Sequence, residues 1–211
     1  MIPQEFTQAL RERLAQPLPG LAAQVRMAPL SRQQQLARFS VPDNARRSAV
    51  LIAFYPGEQG IQFPLILRND YKGVHSGQIG LPGGQWEEND GDLLGTALRE
   101  AEEEVGVHPS QVEILGRLSE LYIPPSNFLV QPYLGVLPAR PNFIPDPTEV
   151  AQLIEARLDR VRDSKYYQKS KIKHRTGVEM EVPSFNVQGH IVWGATAMML
   201  SELLQILDEL T

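Results

Sequence analysis

Three glutamates in the stretch LREAEEEVG, Glu100, Glu103 and Glu104, recur at i, i+3 and i+4, the spacing that places side chains on one face of an α-helix. On a projection of about 100° per residue they share an arc of about 100°. Leu94, Ala97, Leu98, Ala101 and Val105 form a separate apolar stripe, and Glu102 stands outside the acidic group. Such carboxylates repel one another by roughly a few tenths of a kcal/mol per pair. Either the face is a solvated charged surface, or a hard divalent cation offsets the repulsion. Magnesium or manganese would suit, since both take oxygen ligands and leave positions for water and phosphate oxygens. Just upstream, HSGQIGLPGG (75–84) carries four glycines and a proline. Glycine lets the backbone come close and turn its carbonyls inward, so a loop carbonyl and three helix carboxylates could surround one ion.

The elements that must position these groups can be read from periodicity. A helix runs from about Asp92 to Val105. SAVLIAFYP (48–56) and FPLILRN (63–69) read as two strands separated by GEQG, and QVEILGRLSELYIP and FLVQPYLGVLP as a second strand pair joined by PPSN. PARPNFIPDPTE reads as a proline-rich linker, and DSKYYQKSKIKHR (163–175) as a basic loop. A short strand pair around EMEVPSFNV precedes a closing helix from about Trp193 to Leu210, apolar around so much of its circumference that it is either deeply buried or part of a dimer face. An amphipathic helix over 3–16, with Phe6, Leu10 and Leu14 on one side, ends against Pro17 and Pro19. The expectation is an α/β fold, a mixed central sheet with helices on both faces. It divides into an N-terminal segment (1–45) and a main domain (46–211).

Composition bounds the function. A chain of 211 residues with 42% hydrophobic content buries one sizeable core. A net charge of −5 argues against bulk attraction to nucleic-acid backbones or anionic lipid, so an anionic substrate needs local cations or a metal. The absence of cysteine removes disulfides, thiolate metal sites and thiol nucleophiles. No apolar run suggests a membrane span, and the N-terminus lacks a signal-peptide pattern, so a cytoplasmic location is expected.

Read together, Gly84 and the run from Arg99 through Glu100, Glu103, Glu104 and Gly106 to Val107 resemble the Nudix hydrolase signature: a glycine, a spaced acid, then Arg-Glu-apolar-x-Glu-Glu-x-Gly-apolar. The second half matches at every specified position. The first half is one residue longer than usual, and Asp90 and Asp92 bracket the place of the spaced acid. The resemblance implies a Nudix-type α/β/α sandwich, with Glu100, Glu103, Glu104 and the Gly83 carbonyl holding magnesium or manganese. The implied reaction is hydrolysis of a diphosphate linked to another moiety. Arg99 would pair with acids near the metal, and the general base would be a helix glutamate or Glu149 in PTEV.

The stretch LILRNDYKGVHSGQIGLPGG is similar to the coenzyme A diphosphatase branch of that family: Arg68, Gly77, Pro82, Gly83 and Gly84 match its upstream motif. Asn69, Gly73 and Leu81 depart from it, and Lys72 stands close to where a second arginine is usual. The resemblance implies cleavage of coenzyme A or its acyl derivatives, with Arg68, Lys72, His75 and Gly84 on the substrate side. The partner would be a small nucleotide substrate rather than nucleic acid or membrane, and a homodimer is compatible with the apolar closing helix. Other nucleotides, such as ADP-ribose, NADH or a dinucleoside polyphosphate, remain alternatives, as does a non-catalytic binding role.

Overall fold

The computed structural model describes residues 1–30, 32, 33, 40–70, 73–173 and 179–210. Its organising strand is β1 (Arg46–Gly57), buried on both faces over most of its length. Ala49, Leu51, Ala53 and Tyr55 point to one core and Ile52 and Phe54 to the other, the period-2 alternation of a central strand. Along one edge β1 runs parallel to β7 (Phe128–Val136) for nine register pairs. On its other edge the C-terminal end pairs with β2 (Gly60–Arg68) and the N-terminal end with β4 (Gly83–Gln85). The two neighbours diverge, and β3 (Ile79–Gly80) pairs with β2 on the other side of the gap. The LPGG turn therefore lies in a wedge where the sheet splays.

β5 (Glu113–Arg117) and β6 (Leu121–Ile123) both pair antiparallel with β7, and β8 (Val150–Arg157) pairs antiparallel with β2. Eight strands thus make one mixed sheet. A second sheet of three strands, β9 (Tyr167–Lys173), β10 (Glu179–Val187) and β11 (His190–Trp193), follows in the chain.

Helices cover both faces, as expected. α1 (Gln4–Leu14) and α2 (Leu21–Gln24) are N-terminal, and α3 (Leu93–Val105) sets Ala97, Ala101 and Val105 against Ala49, Leu51 and Tyr55. α4 (Leu158–Arg162) links β8 to the small sheet, and α5 (Gly194–Asp208) packs into the opposite core with Leu10, Leu14 and Met27. The apolar circumference of α5 is answered within the chain: Met198, Leu200, Leu203 and Ile206 are fully buried. Among the described residues, no helix is long and apolar enough to cross a membrane.

Two expectations are corrected. Strand β8 was not foreseen between the linker and the basic stretch, and residues 167–173 of that stretch form a strand paired residue for residue with β10 rather than a loop. β8 depends on β2, a partner distant in sequence that local pattern does not reveal, whereas β9 pairs with the next strand in the chain and its lysine-rich composition hides the strand.

Glu202 on α5 is completely buried and accepts hydrogen bonds from the backbone N–H of Gly20 and Ser119 and from Gln24 Nε2 at 3.0, 3.3 and 2.8 Å. It ties the N-terminal segment to the closing helix. Replacing Glu202 with Ala orphans three donors, and urea denaturation is expected to show a loss of about 3 kcal/mol; a loss below about 1 kcal/mol would mean the segment is held by apolar packing instead.

Candidate active site

Helix α3 begins where Asp92 caps the N–H of Gly95 at 2.8 Å and ends at Gly106, whose φ of 75° suits glycine. Its registry points Glu100 and Glu104 at the wedge. Glu104 is 1% exposed and forms a three-way lock: Oε1 accepts from Arg68 at the end of β2 at 2.9 Å, and Oε2 accepts from the Gly83 N–H at 2.8 Å. Arg68 also donates to the Gly83 carbonyl at 2.8 Å. That carbonyl keeps its second lone pair for another partner.

The two turn glycines are there for space. A Cβ on Gly83 would stand 2.3 Å from the Ala49 carbonyl oxygen and 2.6 Å from Val50 Cα, and one on Gly84 would stand 2.2 Å from the Glu100 carboxylate. Gly83 lets β4 close on β1, and Gly84 leaves room for the Glu100 carboxylate.

The third carboxylate comes from outside the helix. Among the described residues, ligand oxygens of Glu100, Glu104 and Glu149 lie within 4.8 Å of one another. Glu149 arrives there because the linker is a strap: the Ile144 N–H donates to the Val105 carbonyl and the Asp146 N–H to the Glu104 carbonyl, each at 3.0 Å, satisfying the open end of α3. Asp146 then turns the chain by accepting from Thr148, and the Asn69 N–H holds the Glu149 carbonyl at 3.0 Å. Burial pushes the Glu104 carboxyl up to about 7, against the pull of Arg68 and the Gly83 N–H, with Glu100 and Glu149 adding repulsion. Glu100 is also raised, by burial first, although Arg99 opposes it. A close, partly buried, all-oxygen donor set with raised carboxyls fits a hard divalent cation.

Glu103 stands apart. It is exposed, and its Oε2 accepts from Arg99 at 2.7 Å, an i, i+4 pair. Arg99 also contacts Glu100 Oε1 at 3.0 Å and the Gln85 carbonyl at 3.2 Å, and forks onto Asp90 through Nε at 2.6 Å and NH2 at 3.2 Å. Asp90 further accepts from the Glu87 N–H and the Thr96 hydroxyl, and Arg99 holds its carboxyl down at about 2. Of the two acids that bracket the signature's spaced position, Asp90 partners Arg99 and Asp92 caps the helix.

A groove of about 1200 Å³ opens beside the wedge, lined by Arg68, Gly83 and Gly84 at the site and by Phe128, Ile172 and Trp193 beyond it. His75 lines it too, with Nδ1 3.3 Å from Gln78 Oε1 and its pKa lowered by burial. Lys72 lies outside the described residues. The hydroxyls of Tyr122 and Tyr166 pair with Asn127 and Arg160. Trp193 at the end of β11 also lines the groove, positioned by the pairing of β10 with β11.

The NUDIX domain family model matches residues 45–174. The chain belongs to the Nudix family. Nudix hydrolases split nucleotide-linked diphosphates and generally use divalent metal ions. Curated Nudix relatives include a protein of Yersinia enterocolitica named "Uncharacterized Nudix hydrolase NudL", 37% identical over 82% of this chain and 86% of its own length. A Yersinia pestis protein of the same name is 36% identical over 76% and 79%. Among solved structures, a Nudix hydrolase from M. smegmatis, RenU, superposes with a TM-score of 0.52 at 16% identity, covering 78% of this chain and 84% of that one. A MutT protein from Methanosarcina mazei Go1 gives 0.50 at 15% identity, covering 78% and 95%. These two show the shared Nudix fold.

Two tests follow from the geometry. Glu104 has an ordinary carboxyl value of 4.5 raised to about 7 by burial, so in the metal-free protein its ionisation costs stability as pH rises through that window. A cation needs the ionised form. The rise in melting temperature on adding manganese should therefore be larger near pH 8 than near pH 5.5, with proton release on binding in calorimetry near pH 6 that fades near pH 8.5. A pH-independent shift would remove Glu104 from the ligand set. Gly84→Ala should weaken manganese binding at least about tenfold with little change in melting, whereas Gly83→Ala, which strikes backbone, should lower the melting temperature by several degrees.

Proposed function

We propose that this Nudix hydrolase cleaves the diphosphate of coenzyme A or acyl-coenzyme A, giving adenosine 3′,5′-bisphosphate and 4′-phosphopantetheine or its acyl form. The observation that carries the diphosphatase chemistry is the meeting of Glu100, Glu104 and Glu149 in the wedge beside Arg68 and the glycine turn. Glu100, Glu103 and Glu104, with the Gly83 carbonyl, would hold magnesium or manganese. Glu103 joins that set by exchanging its bond to Arg99. When bound, the cation neutralises diphosphate oxygens and makes water a better acid.

The side chains supply the rest. Arg99, fixed by Asp90 and the Gln85 carbonyl, keeps α3 against the turn and spaces the acids. Glu149, exposed on its strap, would accept a proton from the attacking water at its carboxylate. Gly84 and His75 form the groove wall that the substrate passes, with Lys72 close in sequence. Support for coenzyme A comes from the turn matching that branch and from the groove. Its volume of about 1200 Å³ exceeds the roughly 300–1,000 Å³ of ordinary small-ligand clefts, as an extended substrate requires. The absence of an arginine at Gly73 favours a second reading, the same chemistry on another nucleotide such as ADP-ribose or NADH.

The deciding experiment is a substrate panel of coenzyme A, acetyl-coenzyme A, ADP-ribose and NADH with magnesium or manganese, with and without chelator. Chelator-sensitive release of adenosine 3′,5′-bisphosphate is expected; cleavage of ADP-ribose or NADH alone would transfer the assignment to the second reading. Glu103→Gln should fold normally, being exposed, and lower kcat by about a thousandfold or more. Near-normal turnover would leave Glu103 as only a partner of Arg99.

A further inference from the structure

The groove has a second guanidinium that the chemistry above does not use. Arg32 lines it together with Pro29, Ile123, Pro124, Phe128 and Trp193, an apolar setting. Its NH2 donates to the Tyr122 carbonyl at 2.6 Å, but its buried Nε has no partner. Among the described residues no acid pairs with it, and burial alone lowers its pKa. The other cations near the site differ. Arg68 is committed to Glu104 and the Gly83 carbonyl. Lys165 and Lys169 of the basic stretch pair with Asp163 and Glu181 and do not line the groove, where Ile172 is that stretch's contribution.

A half-buried guanidinium with its buried Nε donor unspent and no counter-charge is destabilised, and an anion with several acceptor oxygens relieves that. A phosphate monoester is the best match in a nucleotide: it carries up to about two charges and three oxygens, and it accepts the guanidinium fork in bidentate fashion. The apolar walls strengthen such a pair by keeping the local dielectric low. A rotation of the long side chain turns the fork into the groove it already borders. We propose that Arg32 binds a monoester phosphate on the part of the substrate remote from the scissile diphosphate, and so sets substrate choice. This rests on the diphosphatase reading, in which the 3′-phosphate of coenzyme A is such a group.

The test uses substrate pairs that differ by that phosphate: coenzyme A with dephospho-coenzyme A, and NADPH with NADH. Each is assayed with wild type, Arg32→Ala and Arg32→Gln, the latter keeping a donor for the Tyr122 carbonyl. In whichever pair is cleaved, both variants should raise KM for the phosphate-bearing member about tenfold or more. The effect on the other member should be at least fivefold smaller, with kcat little altered. Equal effects on both members would overturn the proposal. Thermal shifts with adenosine 3′,5′-bisphosphate against AMP separate this from catalysis: wild type should favour the bisphosphate and Arg32→Ala should not. No preference, or one that survives the substitution, would overturn it. If none of the four substrates is cleaved, the diphosphatase reading fails while the binding comparison still decides the role of Arg32.

Discussion

One buried carboxylate ties the sheet, the helix and the turn together. Glu104 joins α3 to β2 through Arg68 and to β4 through the Gly83 N–H, and Arg68 closes the triangle on the Gly83 carbonyl. An ionised carboxylate without partners in such a place would cost several kcal/mol, and a guanidinium with a backbone amide offsets only part of that. The remainder shows as a carboxyl value near 7. The bonds that hold the wedge shut therefore leave an unmet demand for positive charge, and the acids of Glu100 and Glu149 increase it.

Around this centre the other acids are sorted by partner. Asp90 is held by a two-point fork from Arg99 with two further donors, which makes it a rigid anchor, whereas Glu103 shares the same guanidinium from an exposed position and can exchange it. Arg99 thus acts as a hub that spans the loop, the helix and the end of β4. A lysine there would lack the planar fork that meets Asp90 at two points.

Much of this was legible in the sequence because it is local. The i, i+3, i+4 spacing of Glu100, Glu103 and Glu104, the capped helix and the double glycine follow from helical periodicity and turn chemistry, and helix α3 begins and ends within a residue of its expected bounds. What escaped depends on distant partners. VAQLIEAR has no strict alternation to mark it as a strand; it becomes β8 because β2 offers a free edge. The same pairing fixes Glu149, so its nearness to Glu100 could be proposed by analogy and not from spacing. Arg32 lacks any motif around it and reaches the groove beside the Tyr122 carbonyl of β6, and Trp193 reaches the same groove through the pairing of β10 with β11.

The strap that carries Glu149 also orders events in folding. Two of the three converging carboxylates share a helix turn that can form early and locally, but the third arrives only once residues 144–149 have docked on the end of α3 and β8 has zipped onto β2, contacts that span about forty to ninety positions of chain. A nascent or partly refolded chain thus holds a half-made acidic pair, too open to strip water from a hard ion. A cation bound there would therefore stabilise only the finished topology, rewarding long-range strand pairing once made rather than seeding it.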